Sequence, residues 1–489
     1  MAEYKSVPLG VMGQYYSTRH TLGQYRSACV TASFTFHNPN GPSSLQGILP
    51  ALEVSLQATI RQHPGLCYGI SDELREEIPL FTHLRTIDLR DVLEVLPSQR
   101  YNVPDTTMSE VLGRFHANLW CPDKPAWKVI VIEHLIDGPS TGLGTLSRLD
   151  IAFFAHHAIA DGLSCIAFHS SLMDNLQLSL ELVLPARWPL RLDETLSIPP
   201  TVEECMDIAP CRCITCNGQS NLTQPVWAGG DISTTPQTNF ESRVRIITFL
   251  PEAVCRILRK CKLARVTLTG LLHAYICTSL QRALKKEGIN EDTTLGFRSV
   301  TPFQIRKHTG VSDKDILNHI SYLTTYIPHD ELDKTVACDA NSDSEEKHIV
   351  ELARFFSDDI VTKVKQFPHG NNMAGQLGQI RDTFQYCKSQ GGQKRQYTYE
   401  LSNLGSIPNM SLPERSGIKI EKLVFTQCGF IAGPALGFNC VSVKGGPLTL
   451  SVTWQGGIVQ ESIIESVIDE LETRIGCQGG CIRGDSRTG

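Results

Sequence analysis

Apolar residues recur along the chain with two periods. Leu49, Leu52, Leu56 and Ile60 fall at helical spacing ahead of His63-Pro64, a stop, with Pro50 tolerated in a first turn; one long amphipathic helix is predicted there. Trp127 to Ile136 is an apolar run with Val129, Ile130, Val131 and Ile132 at its centre, which predicts a buried strand, and Ile151 to Phe154 predicts a second. Between about 190 and 240, Pro199, Pro200, Pro210, Pro225 and Pro236 mingle with Asn, Gln, Ser and Thr, and no period survives. Beyond it, Val244 to Phe249 reads as a strand, while Leu268, Leu272, Tyr275, Ile276, Leu280 and Leu284 keep helical spacing. The acidic stretch Asp330 to Lys347 reads as an exposed loop, and strands at 419–428, 437–443 and 448–454 make the second half rich in sheet. The pattern predicts two α/β lobes of similar size: an N-terminal lobe over 1–195, a crossover linker over 196–240 and a C-terminal lobe over 241–489.

Composition narrows the function classes. The 489 residues carry 45 Lys plus Arg against 51 Asp plus Glu, a net charge of −6, with 41% hydrophobic and 20% charged residues. That is enough apolar material for large cores and gives no electrostatic reason to expect nucleic acid or an anionic membrane as partner. Residues 423–443 carry no charge, yet Thr426, Gln427, Pro434, Asn439 and three glycines fit two buried strands and a turn better than a membrane span. The start lacks the basic and apolar regions of a secretory signal, so the 17 cysteines are expected as reduced thiols in the cytoplasm and the sequons at Asn221 and Asn409 as chance matches.

One cluster carries chemistry. Ala155-His156-His157-Ala158-Ile159-Ala160-Asp161-Gly162 follows the strand at 151–154 and precedes an apolar segment, Leu163 to Phe168, that can open a helix. A strand-to-helix turn holds polar side chains at a sheet edge, where substrate can reach them. The spacing of His157 and Asp161 lets the carboxylate fold back beneath the imidazole, Gly162 is expected to supply the backbone angle for the reversal, and a histidine suits a general base near neutral pH. On spacing alone, surface decoration or metal ligation stays open, with His156 a structural hydrogen-bonder. Cys205, Cys211, Cys213 and Cys216 invite a zinc reading, but their spacing is not that of a standard finger; free thiols are expected and no metal. Cys477 and Cys481 fall in a Gly-rich tail.

The string His156-His157-x-x-x-Asp161-Gly162 resembles the signature of the superfamily of condensation domains, plant acyl-CoA transferases and chloramphenicol acetyltransferase. The fungal and yeast alcohol acetyltransferase branch looks closest. Arg19-His20, Gly23-Gln24-Tyr25, His63-Pro64-Gly65-Leu66, Pro125-Ala126-Trp127, Thr301-Pro302-Phe303, Ser402-Asn403-Leu404-Gly405, and Leu448-Thr449-Leu450 through Trp454-Gln455 are similar to that family too, so the resemblance covers most of the chain. It implies an α/β (α+β) fold of two chloramphenicol-acetyltransferase-like lobes, mixed sheets flanked by helices, with a tunnel between them.

It also implies His157 as base and a mainly structural Asp161 paired with an arginine from the other lobe, for which Arg298 is the best match and Arg306 the reserve. Ser402 and Asn403 become candidates to stabilise the oxyanion, against a plain turn-capping role. The Asp-Phe-Gly-Trp-Gly motif of the plant branch is absent; Gly433-Pro434-Ala435-Leu436-Gly437 stands at the comparable place. The expected function is acyl transfer, acetyl above all, from acetyl-CoA or another acyl-CoA as co-substrate to a hydroxyl of a hydrophobic small molecule in secondary metabolism. No bound cofactor, no nucleic acid, no transmembrane segment and a cytoplasmic monomer are expected. The rivals are the same fold acting on an amine, a carrier-protein thioester or a cyclisation, and a catalytically idle binding protein.

Overall fold

The computed structural model describes residues 6–36, 44–71, 78–100, 105–137, 144–182, 185–192, 197–208, 224–235, 240–289, 294–340, 342–369, 372–410 and 417–476. Its principal elements, in chain order, are α1 (Val11–Thr21), β1 (Ala28–Phe36), α2 (Leu45–Gln62), β2 (Leu93–Arg100), α3 (Asp105–His116), β3 (Trp127–Asp137), β4 (Gly144–Ala155) and α4 (Gly162–Leu182) in the first half. The second half contributes β5 (Ser242–Phe249), α5 (Pro251–Ala264), α6 (Leu268–Lys286), β6 (Phe297–Gln304), β7 (Ile320–Ile327), α7 (Asp343–Gln366), β8 (Tyr399–Ile407), β9 (Ile418–Gln427), β10 (Leu436–Val443), β11 (Leu448–Gln455) and α8 (Glu461–Gly476).

The apolar run of β3 is continuous because both faces of its sheet are covered. Val129 and Val131, with Val30, Phe34, Ile151 and Phe153, pack against Ile48, Leu52, Leu56 and Phe168 of α2 and α4. Ile130 and Ile132, with Ala152 and Phe154, face Met108 and Leu112 of α3 and reach Val244 of β5. The sheet runs β9-β1-β4-β3-β2. A second sheet, β5-β11-β10-β8-β6-β7, buries Ile247, Phe249, Tyr399, Leu401, Phe438 and Leu450 against α5, α6, α7 and α8.

β9 belongs to the first sheet although it comes late in the chain: Ile418 to Gln427 pair antiparallel with Phe36 to Ala28. Thr449 and Ser451 of β11 donate from their hydroxyls to the Leu423 and Phe425 carbonyls, at 2.7 and 2.6 Å. The second half of the chain thus builds part of the first sheet, and a division by sequence position alone does not capture the packing. No helix among the described residues is long and apolar enough to cross a membrane, and 423–443 is the end of β9, the Gly433-Pro434 turn and β10.

Two local expectations need correction. The acidic stretch 330–347 is largely helical: His329–Val336 forms one helix, and Ser342 caps α7 by accepting from Glu345 N. Asp330, Glu331, Asp343, Glu345 and Glu346 stand in first helical turns, where carboxylates complement the helix dipole. α2 begins at Leu45, so Pro50 lies within the helix and not in its first turn. Of the cysteine cluster, Cys205 ends a short helix, Val202–Cys205, as a free thiol, while Cys211, Cys213 and Cys216 lie outside the described residues, as do Asn221, Cys477 and Cys481. Among the described residues no group of three or more His, Cys, Asp or Glu is placed to hold a metal ion.

Four buried histidines set a pH dependence. Burial pushes His116 and His273 down to about 3 and His157 and His169 down to about 4. His116 sits 2.8 Å from both Ser27 Oγ and Thr426 Oγ1, and His273 lies between Tyr399 and Thr301. The folded chain holds these rings neutral while the unfolded chain protonates them below about pH 6.5, so stability is lost as pH falls from 6.5 toward 4. Each histidine contributes up to ~1.4 kcal/mol per pH unit in that window. The thermal unfolding midpoint is expected to fall by several degrees between pH 7 and pH 5; an unchanged midpoint contradicts this.

Candidate active site

Between the halves lies a cavity of about 1020 Å³. The first half lines it with Tyr15, Tyr16 and Arg19 of α1, with Tyr25, and with His157, Asp161 and Gly162. The second half contributes Val300, Pro302 and Gln304 of β6, Glu400 and Ser402 of β8, and Phe425 and Gln427 of β9. Period-two alternation along β8 explains the division: Tyr399 and Leu401 enter the helical core, and Glu400 and Ser402 face the cavity.

β4 ends at Ala155, and the turn is fixed at once. His156 N donates to Ala126 O at 2.8 Å, while the His156 ring accepts from Ala158 N through Nδ1 at 2.9 Å and meets the His20 ring edge-on. His156 is therefore turned into the structure. His157 lines the cavity, stacked on Tyr16 with ring centroids 4.1 Å apart and 5.4 Å from the Tyr25 ring. Its Nδ1 is sealed, without a hydrogen bond to another described residue, which leaves Nε2 as the nitrogen toward the cavity. Burial lowers its pKa to about 4, against opposing influences from Asp161 and its own backbone.

Asp161 makes no hydrogen bond to His157. It is the N-cap of α4: Oδ1 accepts from Ser164 N at 2.8 Å. Its ion-pair partner is Arg306, whose Nη2 donates to Oδ1 at 2.8 Å and Oδ2 at 3.0 Å, with both side chains 1% exposed. Arg298 is not the partner. It stands eight residues upstream, with the six strand steps from it to the end of β6 alone spanning roughly 20 Å at about 3.3 Å per strand residue, and donates to Gln396 O at 2.8 Å and Gln224 O at 3.0 Å. Arg306 lies just past the end of β6, in the β6–β7 connection that reaches the motif. The same connection brings Asn318 Nδ2 to His157 O at 2.6 Å and His319 N to Asp161 Oδ2 at 3.2 Å.

Gly162 lets the Leu404 side chain come close. A Cβ there would lie 2.5 Å from Leu404 Cδ2, and Gly162 is not among the positive-φ glycines, so the expectation of a special backbone angle gives way to one of close approach. Ser164 and Cys165 are both fully buried: Ser164 Oγ lies 2.8 Å from Asp161 Oδ1 and 2.6 Å from Leu317 O, and burial pushes the Cys165 thiol well up. Of the oxyanion candidates, both line the cavity, but Asn403 commits its amide to Thr269 Oγ1 at 3.1 Å and to Gly405 N at 2.8 Å.

Sequence reasoning did not assign site roles to Tyr16, Arg19, Tyr25, Glu400 or Gln427. Arg19 Nη2 donates to Ala432 O, and its guanidinium lies 5.2 Å from the Tyr15 and Tyr25 ring centroids. Arg395 Nη1 donates to Phe430 O and Gly433 O at 3.0 and 3.2 Å. The 430–434 turn is thus held through backbone carbonyls by two arginines, where the plant motif would have used an aspartate. The Tyr15, Tyr16 and Arg19 spacing, one face of a short helix, was the signal available.

The alcohol acetyltransferase family model matches residues 94–197 and 219–473. A probable alcohol acetyltransferase of Fusarium pseudograminearum, FCK4, is 24% identical over 482 residues, 95% of this chain and 93% of that one. Among solved structures, the trichothecene 15-O-acetyltransferase TRI3 of Fusarium sporotrichioides superposes with a TM-score of 0.70 at 13% identity, covering 96% of this chain and 94% of its own. TRI101 of F. graminearum, complexed with ethyl coenzyme A, superposes with a TM-score of 0.55 at 14% identity, covering 96% and 97%. The fold is the two-lobed mixed α/β architecture of this superfamily.

The buried pair gives a direct test. Asp161→Ala and Arg306→Ala are each expected to cost on the order of 3 to 5 kcal/mol by stranding the other charge. The double variant should cost clearly less than their sum in denaturant unfolding. Arg298→Ala should be additive with Asp161→Ala; coupling there and additivity at Arg306 would refute the assignment.

Proposed function

The chain belongs to the alcohol acetyltransferase family, and on that premise we propose that it moves an acetyl group from acetyl-CoA to a hydroxyl of a largely hydrophobic small molecule in secondary metabolism, with His157 as general base. The observation that carries the reading is a histidine kept neutral by burial with Nε2 toward a large cavity between the halves. The hydroxyl acceptor has support from TRI3, a trichothecene 15-O-acetyltransferase, and the CoA thioester from the ethyl coenzyme A complex of TRI101.

In the proposed step, Nε2 takes the acceptor's hydroxyl proton as its oxygen attacks the thioester carbonyl. The new C–O bond gives a tetrahedral oxyanion. Collapse breaks the C–S bond, and the departing CoA sulfur recovers the proton from Nε2. Ser402, at 7% exposure on the cavity face of β8, is the stronger oxyanion donor because the Asn403 amide is already engaged. Asp161 acts at one remove: with Arg306 it fixes the turn from which His157 projects. His156, Gly162 and, farther off, Arg298 support the structure.

His157→Ala is expected to lower kcat by ~10²- to 10⁴-fold with the unfolding midpoint within a few degrees of wild type, whereas His156→Ala acts mainly on stability. Since neutral His157 is the active form, the acidic limb of kcat/KM is expected near pH 4 and not near 6.5; a wild-type rate in His157→Ala would end the assignment.

Transfer is expected to be direct. Ser164 and Cys165 are buried and committed elsewhere, so initial-rate kinetics should show a ternary complex and acetyl-CoA alone should leave the protein mass unchanged. An acetyl adduct on either residue, chased by alcohol, would recast His157 as the activator of a nucleophile.

A further inference from the structure

The mechanism leaves several ionisable groups of the cavity unused, among them Lys394 and Glu400. Glu400 projects from β8 into the same space as His157, and among the described residues it has no salt-bridge partner. Arg19, a cation whose field acts on it, is engaged with the Ala432 carbonyl and two tyrosine rings. Burial raises the Glu400 carboxyl to about 7.

Its surroundings fix one of its oxygens, Oε1, as an acceptor. Gln427 Nε2 donates to Glu400 Oε1 at 2.7 Å and to Asn439 Oδ1 at 2.8 Å, which uses both amide hydrogens. Gln427 Oε1 therefore accepts, and it does so from the Tyr25 hydroxyl at 2.8 Å. Asn439 is oriented in turn by its donation to Ser451 Oγ at 3.1 Å, and Ser451 by its donation to Phe425 O at 2.6 Å. The amide orientations of this chain agree with one another. It ties Tyr25, whose ring lies beside His157, to Glu400 Oε1, and leaves the second oxygen of a carboxyl that faces the cavity to accept when the group is ionised.

We propose that Glu400 in its ionised form is the recognition point for the acceptor, accepting a hydrogen bond from a second O–H or N–H remote from the hydroxyl that is acetylated. The acceptor class is then a neutral, at least difunctional alcohol with an apolar body. The cavity supplies that body's surroundings in Tyr15, Tyr16, Phe303, Tyr322, Phe425 and Phe430. Arg19, whose charge acts on Glu400, offsets the carboxylate's charge at this end of the cavity, so a neutral hydrogen-bond donor is the partner proposed. The inference rests on the acetyl-transfer reading above for the identity of the ligand.

Glu400→Gln keeps the shape and inverts the polarity. The new amide must turn its oxygen to Gln427 Nε2, so it presents N–H to the cavity. The probes are matched decalin derivatives: mono-alcohols, diols and keto-alcohols of one skeleton, measured by calorimetric binding and by acetyl-CoA-dependent thiol release. At a pH about one unit or more above the raised Glu400 range, where the carboxylate is ionised, the wild-type protein is expected to bind the best diol ~10- to 100-fold more tightly than its keto-alcohol, with the preference falling as pH drops below 7. In Glu400→Gln that preference is lost or reversed, while mono-alcohol affinity and KM for acetyl-CoA hold. A variant that shifts all three probes equally, no diol preference in the wild type, or preference for an amino-alcohol would overturn the proposal. Selective binding without thiol release would instead sink the acetyl-transfer reading and leave Glu400 as a recognition residue, whereas turnover with a selectivity indifferent to Glu400 would do the reverse.

Discussion

A guanidinium and a carboxylate, each 1% exposed, hold the two halves of the chain together at the point where chemistry is proposed. Arg306 spends Nη1 on the carbonyls of Ser312 and Asp315, at 2.7 and 2.9 Å, and Nη2 on Asp161 and Ser164. Asp161 meanwhile caps α4 and accepts from His319 N. Taking two charges out of water is costly, and only this density of hydrogen bonds makes it tolerable. The consequence is positional: the turn between β4 and α4 has one arrangement, and His157 projects from it into the cavity with its ring stacked on Tyr16.

Burial then sets the chemical character of the cavity. It keeps His157 neutral, raises the phenols of Tyr16 and Tyr25 so that they remain hydroxyl donors, and lifts Glu400 toward neutrality. A thioester is already activated, so orientation and stabilisation of developing charge can carry most of the barrier. Polar groups in such a space act through where they point, and the Tyr25, Gln427 and Glu400 chain shows how side chains from a loop, β9 and β8 can be aligned.

What was legible in the sequence follows from range. The helix ending at His63-Pro64, the β3 run and the strand pair around 423–443 rest on local period, and all three are present. The His156 to Gly162 motif could be placed on a strand-to-helix turn for the same reason. The Asp161 partner could not be chosen by local reading, because Arg298 and Arg306 share one strand and its exit, and only the path of the β6–β7 connection decides between them. The assignment of β9 to the first sheet depends on pairing with residues almost 400 positions earlier in the chain, to which period is blind. Glu400 was missed because an isolated acidic residue in a strand carries no local signal of the cavity it faces. The acidic stretch at 330–347 misled for the opposite reason: its carboxylates begin helices.

The central claim is that His157 Nε2 receives the proton of an acceptor hydroxyl in a direct transfer. A crystal structure of the ternary complex with ethyl coenzyme A, a thioether without the reactive carbonyl, and a turned-over alcohol would measure it. The hydroxyl oxygen is predicted to lie within about 2.6 to 3.2 Å of Nε2, between the imidazole and the thioether sulfur. An acceptor hydroxyl bound instead on Glu400 or another base, with His157 turned away from it, would contradict the claim.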